Sequence, residues 1–406
     1  MKNMIVGQSG GPTAVINGSL YGVVSEGFKH PESIEHVYGM INGIEGFLSN
    51  QIMDMHPLLK NGDLELIRTT PGSYLGSCRY KLPEDLNNPV YPELFQKFED
   101  YNIGYFFYIG GNDSMDTVSK LSRYAAKIQS PIRVIGVPKT IDNDLVETDH
   151  TPGFGSAAKF VATTVREIAI DASVYDNKKS VTIVEIMGRH AGWLTAASAL
   201  ARKFEGDNPV LIYLPEVAFN QEDFLEKVKK ALETTPNLVV CVSEGINDGM
   251  VLLSVNLQAT WVLIPLAIRC LQVPENTMEN LIKEKLGVKV RSVELNVSQR
   301  CSSSCLSKTD LDEADHSGAF AVNAALNGET GKMISFVRTN TSPYELSFST
   351  ADVNIICNQE KAVPLSWITK DGSDVTDEFI RYAAPLIQGS VDVPTENGLP
   401  LFAFRK

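Results

Sequence analysis

Residues 105–114 read YFFYIGGNDS and residues 133–144 read RVIGVPKTIDND. Each opens on a short apolar run, Tyr105–Ile109 and Arg133–Val137, and breaks into polar residues with no alternation of apolar and polar positions. A strand apolar on both faces belongs to a parallel sheet covered on both sides. After GGNDS, Met115, Val118, Leu121, Ala125 and Ile128 recur at helical spacing, which predicts a helix capped by Asp113 or Ser114. The same order appears elsewhere. Met4–Val6 leads into a glycine-rich turn and an apolar-periodic segment from Ala14. Ser156–Ile170 reads as a helix, and Val181–Ile186, Val210–Leu214, Leu238–Val242 and Val290–Leu295 read as strands. Strand, polar turn and helix in succession predict βαβ units, an α/β fold with mostly parallel sheets, and ligands beyond the carboxyl ends of the strands.

Composition narrows the function. A chain of 406 residues suggests two or three domains, and 43% hydrophobic with 21% charged residues excludes overall disorder. The net charge of −13 argues against a general nucleic-acid or acidic-membrane binder, so an anionic substrate has to meet cations gathered locally. The six cysteines, Cys78, Cys241, Cys270, Cys301, Cys305 and Cys357, form no CxxC pair, which reads as reduced thiols and a cytoplasmic protein without a zinc site. The N-terminus reaches its glycine turn too soon for a signal peptide. The apolar stretch Met250–Ile268 is broken by Ser254, Asn256, Gln258 and Pro265, and reads as buried or irregular protein rather than a membrane span.

Five groups of residues carry candidate chemistry. Gly7–Thr13 (GQSGGPT) lets backbone N–H groups approach a phosphate at a helix N-terminus, although a plain tight turn explains it equally. In GGNDS, Asn112 and Asp113 offer oxygen ligands for Mg2+ beside phosphate; a turn with an N-cap is the simpler reading. In Pro138–Asp144, two carboxylates two residues apart lie close behind a lysine. Asp142 can take a proton from a hydroxyl and Lys139 can hold a phosphoryl oxygen, whereas a solvated loop needs no such grouping. Glu185–Gly192 (EIMGRHAG) contains Arg189 and His190, and Arg291 and Arg300 flank VELNVSQ. Arginine recognises phosphate bidentately, though each of these taken alone is an ordinary surface residue.

As a set, GGNDS, PKTIDND, DHTPGFGSAAKF and MGRHAGW, in this order, closely resemble the phosphofructokinase family. The resemblance runs from the N-terminus to about Asn247. It resumes at Met278–Leu281 and continues through SKTDLDEA and ALNGETGKM to Leu386–Gly389. GQSGGPT with Asp113 and Lys139, where ATP users have glycine, is similar to the pyrophosphate-dependent branch. The resemblance implies two Rossmann-like three-layer domains with the active site between them. Residues 1–150 with roughly 303–355 would form the pyrophosphate domain and 151–302 the sugar-phosphate domain, with 356–406 as an extension packed on the core. It implies reversible, Mg2+-dependent phosphoryl transfer from pyrophosphate to the 1-hydroxyl of fructose 6-phosphate, giving fructose 1,6-bisphosphate and phosphate, in a homodimer or homotetramer. Asp142 is then the general base, with Asp144 and Thr140 orienting the reactants. Gly10, Gly11, Arg79 and Lys139 cradle pyrophosphate, and Asn112 and Asp113 serve the metal. Thr140, Ile141, Asp142, Met187, Gly188, Arg189, Glu244, Arg291 and Arg300 hold the sugar phosphate. Six cations, Arg79, Lys81, Lys139, Arg189, Arg291 and Arg300, are expected at one cleft. The alternatives are an ATP-dependent enzyme of the same family and a non-catalytic subunit that keeps the fold. Intact Asp142, Asp144 and Arg189 speak against the latter.

Four features depart from the family pattern. Asn112 stands where a metal-binding aspartate is common, and Val297 where a histidine is often found between the two arginines. Ser180 stands where an arginine is commonly lent across a subunit interface, with Lys178 and Lys179 nearby. Between Gly249 and Thr277 the family's D-x-F-G-H-x-x-L-x-G segment is missing. Ala267–Val273 can be encoded so that a shifted frame reads Gly-His-Lys-Met-Leu-Thr-Gly, which suggests two compensating frame changes and a poorly packed segment; a divergent loop is the alternative.

Overall fold

The structure, a computed structural model, describes residues 1–174, 178–246 and 275–405. The apolar run and the segment suspected of a frame change lie outside the described residues. By their internal contacts the residues group into two units: Met1–Ala157 with Arg300–Lys361 and Pro385–Lys406, and Ala158–Gln299 with Ala362–Ala384.

The larger unit is built on a seven-stranded sheet. Its strands are β1 (Lys2–Gln8), β2 (Ile34–Met40), β3 (Ile52–Asp54), β4 (Ile103–Gly110) and β5 (Arg133–Pro138), with two from the later chain described below. The smaller unit supplies β6 (Ser180–Ile186), β7 (Leu211–Tyr213), β8 (Asn237–Ser243) and β9 (Lys289–Glu294). The chain then returns to the larger unit with β10 (Lys332–Thr341) and β11 (Tyr344–Asp352). The large sheet runs β11-β10-β5-β4-β1-β2-β3, and the small one β7-β8-β6-β9. Within the large sheet β2, β1, β4, β5 and β10 are parallel, while β3 and β11 pair antiparallel at the two edges. All four strands of the small sheet are parallel. The runs read above as strands each form one within a residue or two of its expected bounds, and Tyr105–Ile109 and Arg133–Val137 lie in the interior of the large sheet.

Two-sided burial follows from the period of the strands. Ile5, Phe106, Tyr108 and Val134 pack on one face of the large sheet with the helices Val90–Asp100 and Asn112–Lys127. Their neighbours Met4, Val6, Phe107, Ile109, Ile135 and Val137 pack on the other, under Ile16–Phe28 and Lys308–Leu326. Burial of each such side chain contributes about 1.5–3 kcal/mol. The last two helices touch backbone to backbone. A Cβ on Gly22 would fall 1.9 Å from the Asp315 carbonyl oxygen, and one on Gly318 would fall 2.3 Å from that of Ser19. Only glycine fits at either place.

In the smaller unit Val181, Ile183, Leu238, Val240 and Val242 form one apolar face with Phe224 and Val228 of the helix Gln221–Thr234. The edge strand β9 is half exposed. Among the described residues no helix is long and apolar enough to cross a membrane.

Candidate active site

In the larger unit three motifs meet at the carboxyl ends of β1, β4 and β5. The GQSGGPT loop leaves β1 with Ser9 N–H donating to the Ile109 carbonyl (2.9 Å). The loop is then fixed from the 77–78 segment: Gly10 N–H donates to Cys78 O (3.2 Å), and Ser77 Oγ donates to Gly10 O (2.6 Å). Lys139, the first residue after β5, is 2% exposed. Its N–H donates to Gly110 O (2.9 Å) and its Nζ to Gly11 O (2.6 Å), so one residue joins the ends of all three strands. Arg300 is there too: a Cβ built on Gly11 would lie 3.3 Å from its Nη1.

Burial pushes the Lys139 ammonium down to about 8. The carboxylates of Asp142 and Asp144 oppose this shift, and the guanidinium groups of Arg300 and Arg79 add to it. The expected donor-side residues Gly10, Gly11, Arg79 and Lys139 are thus together. Arg300, which the sequence grouped with the sugar-phosphate residues, lies beside them.

The segment Thr140–Asp144 is held from beneath. Thr140 N–H donates to Pro152 O (3.2 Å), and Thr151 Oγ1 donates to Thr140 O (2.8 Å). Asn143 is fully buried with φ at +55° and accepts the Thr151 N–H (3.1 Å). Ile141 is buried, while Asp142 is exposed, with its N–H on Thr140 Oγ1 (3.1 Å) and its Oδ2 accepting from that hydroxyl (3.3 Å). Burial, with Asp142 nearby, pushes the Asp144 carboxyl up to about 6. The Asp144 carbonyl accepts the Lys361 N–H (2.7 Å), and Lys361 Nζ donates to Thr148 O and Asp149 O. Asn143 and Lys361 escaped sequence reasoning. One looks like a spacer between two aspartates, and the other is a lone lysine more than two hundred residues away.

The helix after GGNDS starts two or three residues earlier than expected. Its N-cap is Gly111, and neither Asp113 nor Ser114 caps it, because the backbone of Gly111 already has the extended geometry a cap needs. Asn112 is instead a clasp: its amide nitrogen donates to Gln359 O (2.5 Å) and its Oδ1 accepts Asn358 N–H (2.6 Å). Asp113 is exposed, 3.0 Å from the exposed Lys81 ammonium. An exposed carboxylate at a helix start suits Mg2+, which takes one or two protein carboxylates and fills its shell with phosphate oxygens and water. Asp113 fits that role, while both polar ends of Asn112 are already in use.

In the smaller unit the carboxyl ends of β6, β8 and β9 surround a small cavity lined by Glu185, Ile186, Met187, Glu244, Glu294, Asn296 and Gln299. Met187 N–H donates to Gln299 Oε1 (3.1 Å), and Glu244 N–H to Ile186 O (2.9 Å). Gly188 has φ at +136°, and its carbonyl accepts from Ser243 Oγ (2.5 Å). The sequence singled out Met187, Gly188 and Glu244, and missed Gln299 and Ser243, which hold Met187 and Gly188. Arg189 and His190 are exposed beyond this turn. Arg291 does not reach the cavity. It pairs in register with Thr182, midway along β6, and its guanidinium lies 3.9 Å from Asp171. Val297 is 52% exposed, and Ser180 Oγ donates to Asn237 Oδ1 (2.8 Å).

A family profile described as Phosphofructokinase matches residues 3–325. A curated protein of Halomonas elongata, named pyrophosphate–fructose 6-phosphate 1-phosphotransferase, is 39% identical over 99% of this chain and 95% of its own. One of the same name from Methylococcus capsulatus is 37% identical over 98% and 94%. The crystal structure of a pyrophosphate-dependent phosphofructokinase from Marinobacter aquaeolei superposes with a TM-score of 0.88 at 38% identity, covering 99% of this chain and 95% of that one.

Proposed function

Because the chain belongs to the phosphofructokinase family, we propose that it transfers a phosphoryl group reversibly from pyrophosphate to the 1-hydroxyl of fructose 6-phosphate, giving fructose 1,6-bisphosphate and phosphate. The observation that carries the reading is Lys139: a buried ammonium on the glycine loop, in the field of Asp142, Asp144, Arg79 and Arg300. Such a group is expensive to bury unless polyanionic ligand and carboxylates share its charge.

In the forward direction the exposed carboxylate of Asp142 takes the proton of the 1-hydroxyl. The sugar oxygen forms its bond to one phosphorus of pyrophosphate as the bond from that phosphorus to the bridging oxygen breaks. Lys139 and Arg300 hold the charge that collects on the leaving phosphate. Phosphoryl transfer needs little else from a protein than position and charge. Asp144 and Thr140 fix the loop that presents Asp142. Asp113 would hold Mg2+ beside pyrophosphate, where the ion would supply charge neutralisation to the phosphates. Met187, Gly188, Arg189 and Glu244 receive the sugar phosphate. Residues 1–157 and 300–361 make up the donor part and residues 158–299 the acceptor part; a cytoplasmic homodimer or homotetramer completes the proposal.

The test is a coupled assay of the purified chain with Mg2+ and fructose 6-phosphate, offering pyrophosphate or ATP as donor. Robust turnover with pyrophosphate alone is expected. Turnover with ATP alone, or with neither, overturns the reading.

A further inference from the structure

Away from the strand ends that carry the proposed reaction, the β2–β3 edge of the large sheet gathers two histidines and an aspartate. β3 pairs antiparallel with β2, with Tyr38 opposite Asp54. The register continues past the end of β3, since Met55 N–H donates to Val37 O (2.9 Å). It therefore sets His56 opposite His36. Because strand side chains alternate, His36, Tyr38, Asp54 and His56 share one face.

One potential ligand atom from each of His36, Asp54 and His56 lies within 4.8 Å of the other two. Asp54 Oδ1 accepts from the His56 N–H (3.0 Å) and lies 2.8 Å from His56 Nδ1. The rings are held by their surroundings. Phe28 lies 4.8 Å from the His56 ring, Tyr38 stacks on His36 at 5.7 Å, and the two imidazoles meet edge to face at 5.7 Å. His36 Nδ1 is buried and has no hydrogen-bond partner among the described residues. Asp54 and His56 are 45% and 36% exposed, so an ion has a way in.

We propose that His36, Asp54 and His56 form a site for one divalent transition-metal ion of the zinc and cobalt class. Two imidazoles and a carboxylate are the donors this class prefers, whereas Mg2+ and Ca2+ take oxygen alone. Ligand atoms around a tetrahedral ion at about 2.0–2.1 Å sit roughly 3.3 Å apart, so side-chain rotation of about an ångström closes the set. Water completes the shell. The ion ties the three-residue edge strand β3 to β2, which the sheet otherwise secures through a few hydrogen bonds.

The experiment titrates the full chain, freed of metal, with Co2+, follows its visible absorption, and then displaces it with Zn2+. One equivalent is expected, with d–d bands and no sulfur charge-transfer band. His36→Ala/His56→Ala should weaken binding at least 100-fold, and Asp54→Asn about 10-fold, with pyrophosphate-dependent turnover retained. Asp54 is exposed, so its variant keeps the test open should the double variant fail to fold. No Co2+ or Zn2+ binding up to about 1 mM, unchanged binding in Asp54→Asn, or a band from thiolate ligation overturns the proposal.

Discussion

The ends of β5 and β6 both carry a short motif that breaks out of an apolar strand, yet they are built differently. After β5 the charge is buried and already engaged: Lys139 bonds to two strand ends, and Asp144 sits where burial opposes its ionisation. After β6 the backbone is fixed, through Gln299 and Ser243, while the cation that follows, Arg189, is exposed. The first is an electrostatic device set before any ligand arrives; the second is a fixed turn with an exposed charge. Mutations should therefore act on turnover at the first and on substrate affinity at the second.

The largest effect is expected at Asp142. Asp142→Ser should lower turnover by about 10²–10⁴-fold with little change in either Michaelis constant; steady-state kinetics within a few-fold of wild type would remove it as the base. Next comes Lys139. Lys139→Met should lower pyrophosphate turnover by roughly 10²–10³-fold, the scale of a lost oxyanion-type contact. In wild type, kcat/KM for pyrophosphate should fall above about pH 8 as Lys139 loses its proton, and the variant should lack that limb.

The arginines sharpen the comparison. Arg300→Ala should raise the Michaelis constant for pyrophosphate about 10–100-fold, matching a charge-assisted bond of about 1.5–3 kcal/mol. Arg291, level with Thr182 rather than with the strand ends, should affect fructose 6-phosphate less than Arg189→Ala does. A larger effect at Arg291 means that it meets phosphate somewhere its own strand edge does not show.

Donor choice follows. Asp113 stands where ATP users have glycine, and a carboxylate about 4 Å from a phosphate costs about 4 kcal/mol at an effective dielectric of about 20. Exposure and the Lys81 partner move the cost toward the aqueous figure of about 1 kcal/mol. Asp113→Gly should therefore raise ATP turnover by only about 5–10-fold from a low base. Complete exclusion of ATP by that variant would place selectivity elsewhere.

The smallest effect is on stability. The Asp144 carboxyl, raised by burial from its ordinary value near 3.8 to about 6, binds its proton more tightly folded than unfolded. The folded state loses stability as pH rises from about 4 to 6, and above that the full penalty, at most about 3 kcal/mol, is present. Asp144→Asn should raise Tm by a few degrees at pH 7 and by nothing near pH 4. An equal rise at both would tie the gain to packing.

The sequence made the strands plain because a doubly covered parallel strand leaves an unbroken apolar run, as YFFYI does. It made the reactive residues plain because they stand at the ends of such runs. It concealed the supports. Gln299, Ser243 and Lys361 act through a few hydrogen bonds to main chain remote in sequence, and Asn143 through one to a residue eight positions on; no periodicity marks them. Helix capping misled for a related reason: Asp113 has the right chemistry for a cap, but the backbone turned two residues sooner and left its carboxylate outward. The three-ligand cluster was hidden because only the antiparallel register of β3 sets His56 opposite His36.

The seam of Gly22 and Gly318 has a consequence for how the protein is made. The helix Ile16–Phe28 emerges early from the ribosome, but its partner Lys308–Leu326 follows some 280 residues later. At about 5–20 residues per second that is roughly 15–60 s, during which the face meant for the second helix stays wet. The smaller unit, by contrast, has all four of its strands by residue 294. Synthesis thus inverts the order of the chain: the unit begun second assembles its sheet first, and the unit begun first waits, dependent on chaperones or on speed, for its own far end.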